Sequence, residues 1–196
     1  MVQTPTRFIT QEAFEQLCRD QPYRMMERTA QGELVDVSPV GGEGSSREAD
    51  LIGDLIIWNR QTQLGKVFSS QGAFKLPFGS TRAADAAWVR QERWDALTPE
   101  QRIGFPPICP DFVIELRSHS LSNGVVKPQS LPELRSKMTE YMASGLRLGW
   151  LLNPQDQQVE IYRVDQAVQL VSMPTVLSGE AVLPGFELKV QVVNLC

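Results

Sequence analysis

The sequence predicts an α/β (α+β) fold in which a mixed central sheet is covered by helices. Three observations carry this expectation. After Ser45, apolar residues recur at helical spacing through Leu51, Ile52, Leu55, Ile56 and Trp58. The middle of the chain is a series of short apolar or alternating segments bounded by Gly and Pro, which read as strands. A second amphipathic segment, from about Leu131 to Ser144, lies between two such strands, as a crossover helix in a layered fold does.

From the N-terminus, Thr10 is placed to cap a first helix through about Arg19, with Phe14 and Leu17 on one face. Gly32 to Val37 alternates like a half-buried strand, and Pro39 through Gly44 reads as a turn or loop. Ser45-Ser46-Arg47-Glu48 has the form of a capping box, with Ser45 receiving an amide and Glu48 reaching back, and its helix is expected to stop near Gly65. Lys66 to Ser70 and Ala73 to Leu76 read as two strands or one bent hairpin, followed by a Pro77-Phe78-Gly79-Ser80 turn. Ala84 to Val89 is a short apolar strand interrupted by Asp85, and Thr98-Pro99-Glu100-Gln101 opens a brief helix with Pro in its first turn.

Asp111 to Arg117 is the clearest strand. Its alternation sends Phe112, Ile114 and Leu116 to one face and Asp111, Val113, Glu115 and Arg117 to the other. Ser118 to Ser130 reads as a polar loop. In the helix that follows, Leu134, Met138, Tyr141 and Met142 form the expected buried stripe, and Gly145 is its stop. Leu148 to Leu152 and Val159 to Val164 form a hairpin around Asn153-Pro154-Gln155-Asp156. Further strands are expected over Ala167 to Val171 and Ala181 to Val193, the last bent at Pro184-Gly185.

The 196 residues are 42% hydrophobic and 21% charged, the balance of an ordinary globular protein rather than a disordered one. No repeat or low-complexity block divides them, so residues 1–196 are expected to form a single domain. Cys18, Cys109 and Cys196 are too few and too scattered for a disulfide framework or zinc knuckle, which suits a reducing cytoplasm. With His119 as the single histidine, a His-ligated zinc or non-haem iron site is excluded, and a Ser-His-Asp triad would lack its Gly-x-Ser-x-Gly turn. No phosphate-binding Gly-rich loop is present. The N-terminus lacks a basic start before an apolar run, so no signal peptide is expected, and Leu51 to Trp58 is too short to span a bilayer. The net charge of −4 supplies no overall field for nucleic acid; contacts would come from a local set such as Lys66, Lys75, Arg82, Arg90, Lys127 and Arg135.

Chemistry must therefore rest on carboxylates, lysines and arginines. Asp85 and Glu115 both stand in apolar strand segments, where an ionised carboxylate is costly without a cation or donor. A Mg²⁺ ion on two carboxylates removes that cost, lowers the pKa of a bound water and steadies charge on a phosphate. Lys137 is placed to orient the water or offset charge in the transition state. Each residue also has a structural reading: Asp85 bonded to loop amides, Glu115 paired with Arg117 or Arg135, Lys137 paired on the helix surface with Glu133 or Glu140, and Glu48 spent in its cap.

Several segments resemble the Uma family of bacterial restriction-endonuclease-like proteins, a branch of the PD-(D/E)XK nuclease superfamily. The resemblance covers nearly the whole chain. It is carried by Ile57-Trp58-Asn59-Arg60-Gln61, Gly72-Ala73-Phe74-Lys75-Leu76-Pro77, Arg82-Ala83-Ala84-Asp85-Ala86-Ala87-Trp88-Val89, and Glu92 through Arg102. The most specific parts are Cys109-Pro110-Asp111-Phe112-Val113-Ile114-Glu115-Leu116-Arg117-Ser118 and Leu134-x-x-Lys137-Met138-x-x-Tyr141, followed by Gly149-Trp150-Leu151-Leu152-Asn153-Pro154.

The resemblance implies a restriction-endonuclease-like mixed sheet flanked by helices, and a Mg²⁺- or Mn²⁺-dependent endonuclease that hydrolyses DNA phosphodiester bonds. It implies Asp85 and Glu115 as catalytic metal ligands, Lys137 as the catalytic lysine displaced from the position that Arg117 holds, and Glu48 as a further acid at the metal. A DNA substrate, a homodimer, a cytoplasmic location and no membrane association go with it. Two departures stand out: Ala84 replaces the family's proline before the first acid, and residues 119–130 lack its Pro-Ser-Asp-Ser run. These define the alternative, a catalytically degenerate nuclease-fold interaction protein.

Overall fold

The computed structural model describes residues 8–122 and 125–191. The N-terminal start, Cys196, the end of the strand expected to reach Val193 and the side chain of Lys127 lie outside the described residues. Helix α1 (Gln11–Asp20) begins as expected, with the Thr10 hydroxyl accepting the Ala13 N–H, and buries Phe14. Strands β1 (Met26–Arg28) and β2 (Leu34–Asp36) follow as an antiparallel pair. Only β2 was expected, because three residues reading Met-Glu-Arg carry no apolar alternation.

Helix α2 (Gly42–Thr62) starts one turn earlier than the capping box predicts. The Ser45 N–H bonds to Gly41 C=O as an ordinary helical residue. The reason is tertiary. Gly44, read as part of a loop, lies in the helix's first turn and packs closely on the chain after the central strand, where a Cβ would stand 3.0 Å from the Ser118 hydroxyl.

Then come β3 (Gly65–Ser69), β4 (Ala73–Lys75), β5 (Thr81–Ala83) and β6 (Ala86–Arg90), the short α3 (Gln91–Asp95), and α4 (Pro99–Ile103). Helix α4 has a complete Thr98/Gln101 capping box. After β7 (Phe112–Leu116), the segment read as a polar loop holds an antiparallel hairpin, β8 (His119–Ser122) with β9 (Val125–Pro128). Its backbone is tied to the start of α2 by the Gly41 N–H on His119 C=O. Helix α5 (Leu131–Ala143) leads to β10 (Leu148–Asn153), β11 (Gln158–Arg163), β12 (Gln169–Ser172), β13 (Thr175–Ser178) and β14 (Glu187–Val190). The long final strand expected from Ala181 begins only at Glu187, because residues 179–186 turn back to let β14 pair with β13.

The strands form a six-stranded sheet, β12-β11-β10-β7-β6-β3, and a four-stranded sheet, β2-β1-β5-β4. In the larger sheet β7 and β10 are parallel, with α5 as their crossover, and the remaining neighbours are antiparallel. Alternation along β7 and β10 divides the interior in two. Phe112, Ile114, Leu116, Trp150 and Leu152 pack under α2 and the β13–β14 pair; Val113 and Leu151 pack with Leu134, Met138 and Tyr141 of α5. Gly149 leaves room for the Met138 side chain of α5: a Cβ there would meet Met138 Cε at 2.4 Å. Among the described residues no helix is long and apolar enough to cross a membrane.

Candidate active site

The strand expected over Ala84–Val89 begins only after its acid, as β6 at Ala86. Strand β5 belongs to the four-stranded sheet and β6 to the six-stranded one, so Ala84 and Asp85 form the junction between the sheets. The β6–β7 ladder ends at Ala86↔Ile114, and Asp85 Oδ2 extends it by accepting the Leu116 N–H at 2.6 Å. This fixes the first acid beside the second, since Glu115 precedes Leu116 on β7. Glu115 shares the Val113 face of the strand and therefore looks toward α5, with only 2% of its surface exposed.

On α5, Lys137 falls between Leu134 and Tyr141 in the helix repeat and so faces the sheet with the buried stripe. Its Nζ lies 2.8 Å from Glu115 Oε1 and 2.9 Å from Glu27 Oε1, and donates to Ala83 C=O at 2.6 Å. It pairs with neither Glu133 nor Glu140. Arg117, at the motif's lysine position, is spent elsewhere: it bonds Gln129 C=O, Asn153 and Asp156 and staples three chain segments. Glu48, released from the expected cap, lies on α2 and accepts a hydrogen bond from the Ser70 hydroxyl. Its negative charge reaches Asp85.

Sequence reasoning missed Glu27 and misplaced Arg82. Arg82 is buried, bonding Glu27 Oε2 through Nη1 at 2.9 Å and Glu140 through Nε and Nη2 at 2.7 and 2.9 Å. It is no surface contact for nucleic acid, because buried Glu27 and partly buried Glu140 already occupy its donors. Lys75 pairs with Glu15, and Arg135 with Glu160. The one sequence signal for this network was Arg82's place three residues before Asp85; nothing local marked Glu27.

The electrostatics follow from bringing three acids, Glu115, Asp85 and Glu27, together with two cations, Lys137 and Arg82, away from water. Burial pushes the Glu115 carboxyl up to about 8, opposed by Lys137 and reinforced by the charges of Asp85 and Glu27. Burial likewise raises Asp85 to about 6, against Lys137 and the Leu116 amide. For Lys137, burial works against the charge, but Glu115, Glu27 and Asp85 outweigh it and hold the ammonium above its ordinary range. Burial opposes Glu27's charge too, and Lys137 and Arg82 prevail to hold it below the usual carboxylate range.

The donor set suits a hard divalent cation. Glu115 Oε1 is buried with no directed hydrogen bond, its Lys137 neighbour being an ion-pair contact only. Asp85 spends Oδ2 on the Leu116 amide, and among the described residues Oδ1 receives no donor. Among the described residues no three His, Cys, Asp or Glu side chains gather as a complete metal cage. Two carboxylate ligands completed by water and phosphate are the usual Mg²⁺ arrangement, so the residues fit.

Comparison with known proteins agrees with this architecture. The Uma2 family, described as "Putative restriction endonuclease", matches residues 11–191. The crystal structure of a "putative nuclease belonging to DUF820" from Anabaena variabilis ATCC 29413 superimposes with a TM-score of 0.72 at 19% identity. That match covers 93% of this chain and 95% of the other, so the two share a fold from end to end. No curated protein is similar to the chain at a significant level.

Proposed function

The chain belongs to the Uma2 family, and from that premise we propose that it is a divalent-metal-dependent endonuclease that hydrolyses DNA phosphodiester bonds. The observation that carries this reading is the meeting of Asp85 and Glu115 at the junction of two sheets, with Lys137 Nζ 2.8 Å from Glu115. Asp85 and Glu115 would hold Mg²⁺ or Mn²⁺, with Glu48 close enough to tune Asp85. The ion, when bound, would lower the pKa of a water and polarise the scissile phosphate.

In hydrolysis the water oxygen forms a bond to phosphorus as the bond from phosphorus to the leaving sugar oxygen breaks, and that oxygen takes a proton from solvent to leave as a hydroxyl. Lys137 is held as an ammonium, so it does not take the water's proton, which leaves to solvent; its part is to donate a hydrogen bond and offset phosphate charge. Asp85 is locked to the Leu116 amide, which keeps its free oxygen aimed without reorganisation. A single domain working as a homodimer in the cytoplasm completes the proposal, since two copies related by a twofold axis present one site to each strand of a duplex.

The test is a calorimetric Mn²⁺ titration of wild type and Glu115→Gln, followed by cleavage assays on linear, supercoiled and branched DNA beside RNA and nucleoside triphosphates. Saturable binding lost in Glu115→Gln, with DNA cleavage lost in Lys137→Ala, is the expected result. No binding by wild type overturns the reading and leaves the same fold as an interaction protein.

A further inference from the structure

Lys137 carries its charge on a flexible four-carbon stem, and a lysine so built must be held from several sides to act at one point. Its ammonium lies between two carboxylates, Glu27 Oε1 and Glu115 Oε1, at 2.9 and 2.8 Å, while Ala83 C=O fixes it from a third side at 2.6 Å. Glu27 is itself held. Its Oε2 takes Arg82 Nη1 at 2.9 Å, Arg82 is locked by Glu140, and Glu27 Oε1 accepts the Ala83 N–H at 3.0 Å. Residue 83 is thus tied on both sides of its backbone, by Glu27 at its N–H and by Lys137 at its C=O, two positions before Asp85.

Resting on the nuclease reading above, we propose that Glu27 is a positioning residue, which holds the Lys137 ammonium in place while Glu115 changes partners. Of the two carboxylates on Lys137, only Glu115 belongs to the proposed cation site. When Glu115 turns to a cation, its hold on the ammonium weakens. Glu27 and Ala83 C=O keep Nζ in the site, and the side of the ammonium that faced Glu115 is left for the water or the phosphate. Glu27 comes from the four-stranded sheet, whereas Glu115 is on the six-stranded sheet and Lys137 on its crossover helix, so this contact also sets one layer against the other at the reacting centre.

The experiment compares wild type, Glu27→Gln and Glu160→Gln, the last a buried carboxylate bound to Arg135 and Tyr162, apart from this cluster. Three readouts are taken: kcat and KM for DNA, Mn²⁺ affinity by calorimetry, and the Lys137 ammonium signal by nitrogen-15 NMR with and without Mg²⁺. Glu27→Gln is expected to lower kcat roughly 10–100-fold, the range for loss of an orienting partner, with KM and Mn²⁺ affinity unchanged. Its slowly exchanging Lys137 signal is expected to disappear, while Glu160→Gln keeps both signal and kcat.

An unchanged kcat with an intact Lys137 signal overturns the proposal, as does a fall in kcat that tracks a fall in Mn²⁺ affinity. If wild type neither binds Mn²⁺ nor cuts DNA, the nuclease reading fails, and the NMR comparison alone decides whether Glu27 holds Lys137. If Glu27→Gln does not fold, the wild-type signal under Mg²⁺ decides: exchange as fast as that of exposed Lys66 overturns the proposal, and slow exchange upholds it.

Discussion

Lys137 Nζ stands 2.8 Å from Glu115 Oε1, although the lysine is on the crossover helix and the acid on the strand that precedes it. The pair restores, from a different element, the acid–lysine proximity that a Glu-x-Lys strand motif provides locally and that Arg117 here does not.

Removing the lysine should separate chemistry from binding. Lys137→Met is expected to reduce DNA cleavage about 10²–10³-fold, the effect of deleting one transition-state donor. It also leaves buried Glu115 without a cation, while Glu27 keeps Arg82, so a stability loss of about 3–5 kcal/mol is expected in urea unfolding without metal. The check is cleavage measured at a temperature where the variant remains folded.

The metal-free protein should lose stability as pH rises from 5 to 9. Glu115 and Asp85 have folded-state pKa values raised to about 8 and about 6, above their ordinary values. The folded state therefore binds their protons more tightly than the unfolded state. The stabilisation is complete below about pH 4 and is lost as pH climbs through 6 and then 8. Carboxylates with lowered values, such as Glu27 and Asp36, act in the opposite sense and only at more acidic pH. Thermal midpoints across this range should fall for wild type and flatten in Glu115→Gln, and saturating Mn²⁺ should remove the decline in wild type alone.

Arg82 should be among the most sensitive ion-pair positions. Arg82→Ala leaves Glu27 and Glu140 without their shared cation, at an expected cost of about 3–5 kcal/mol. The solvent-exposed Arg24–Asp36 pair gives the contrast: Asp36→Asn should cost about 1 kcal/mol or less. Parallel denaturant titrations measure both.

The packing of α5 on the sheet should accept a side chain at residue 149 only by repacking. Gly149→Val puts a branched side chain where Met138 Cε and Leu146 Cδ2 already lie within 2.4 and 2.8 Å of a single Cβ. Both atoms are the ends of flexible side chains and can swing aside, so a stability loss of about 1–3 kcal/mol is expected with α5 in place. Denaturant titration measures it.

Much of the fold was legible in local pattern. The brief helix opened at Thr98-Pro99, the Leu134–Met138–Tyr141 stripe and the alternation of Phe112 through Leu116 each depend on residues within a turn or a strand of one another, and each is present as read. Tertiary structure decided the rest. It began α2 at Gly42, with Gly44 packed on Ser118; it paired residues 119–122 with 125–128; and it set Asp85 at the junction of two sheets. It also drew Glu27 and Arg82 into the core beside Lys137. A buried carboxylate and its cation are stable only as a pair, and the partners here come from strands far apart in sequence, so no window of local sequence carries the signal that joins them.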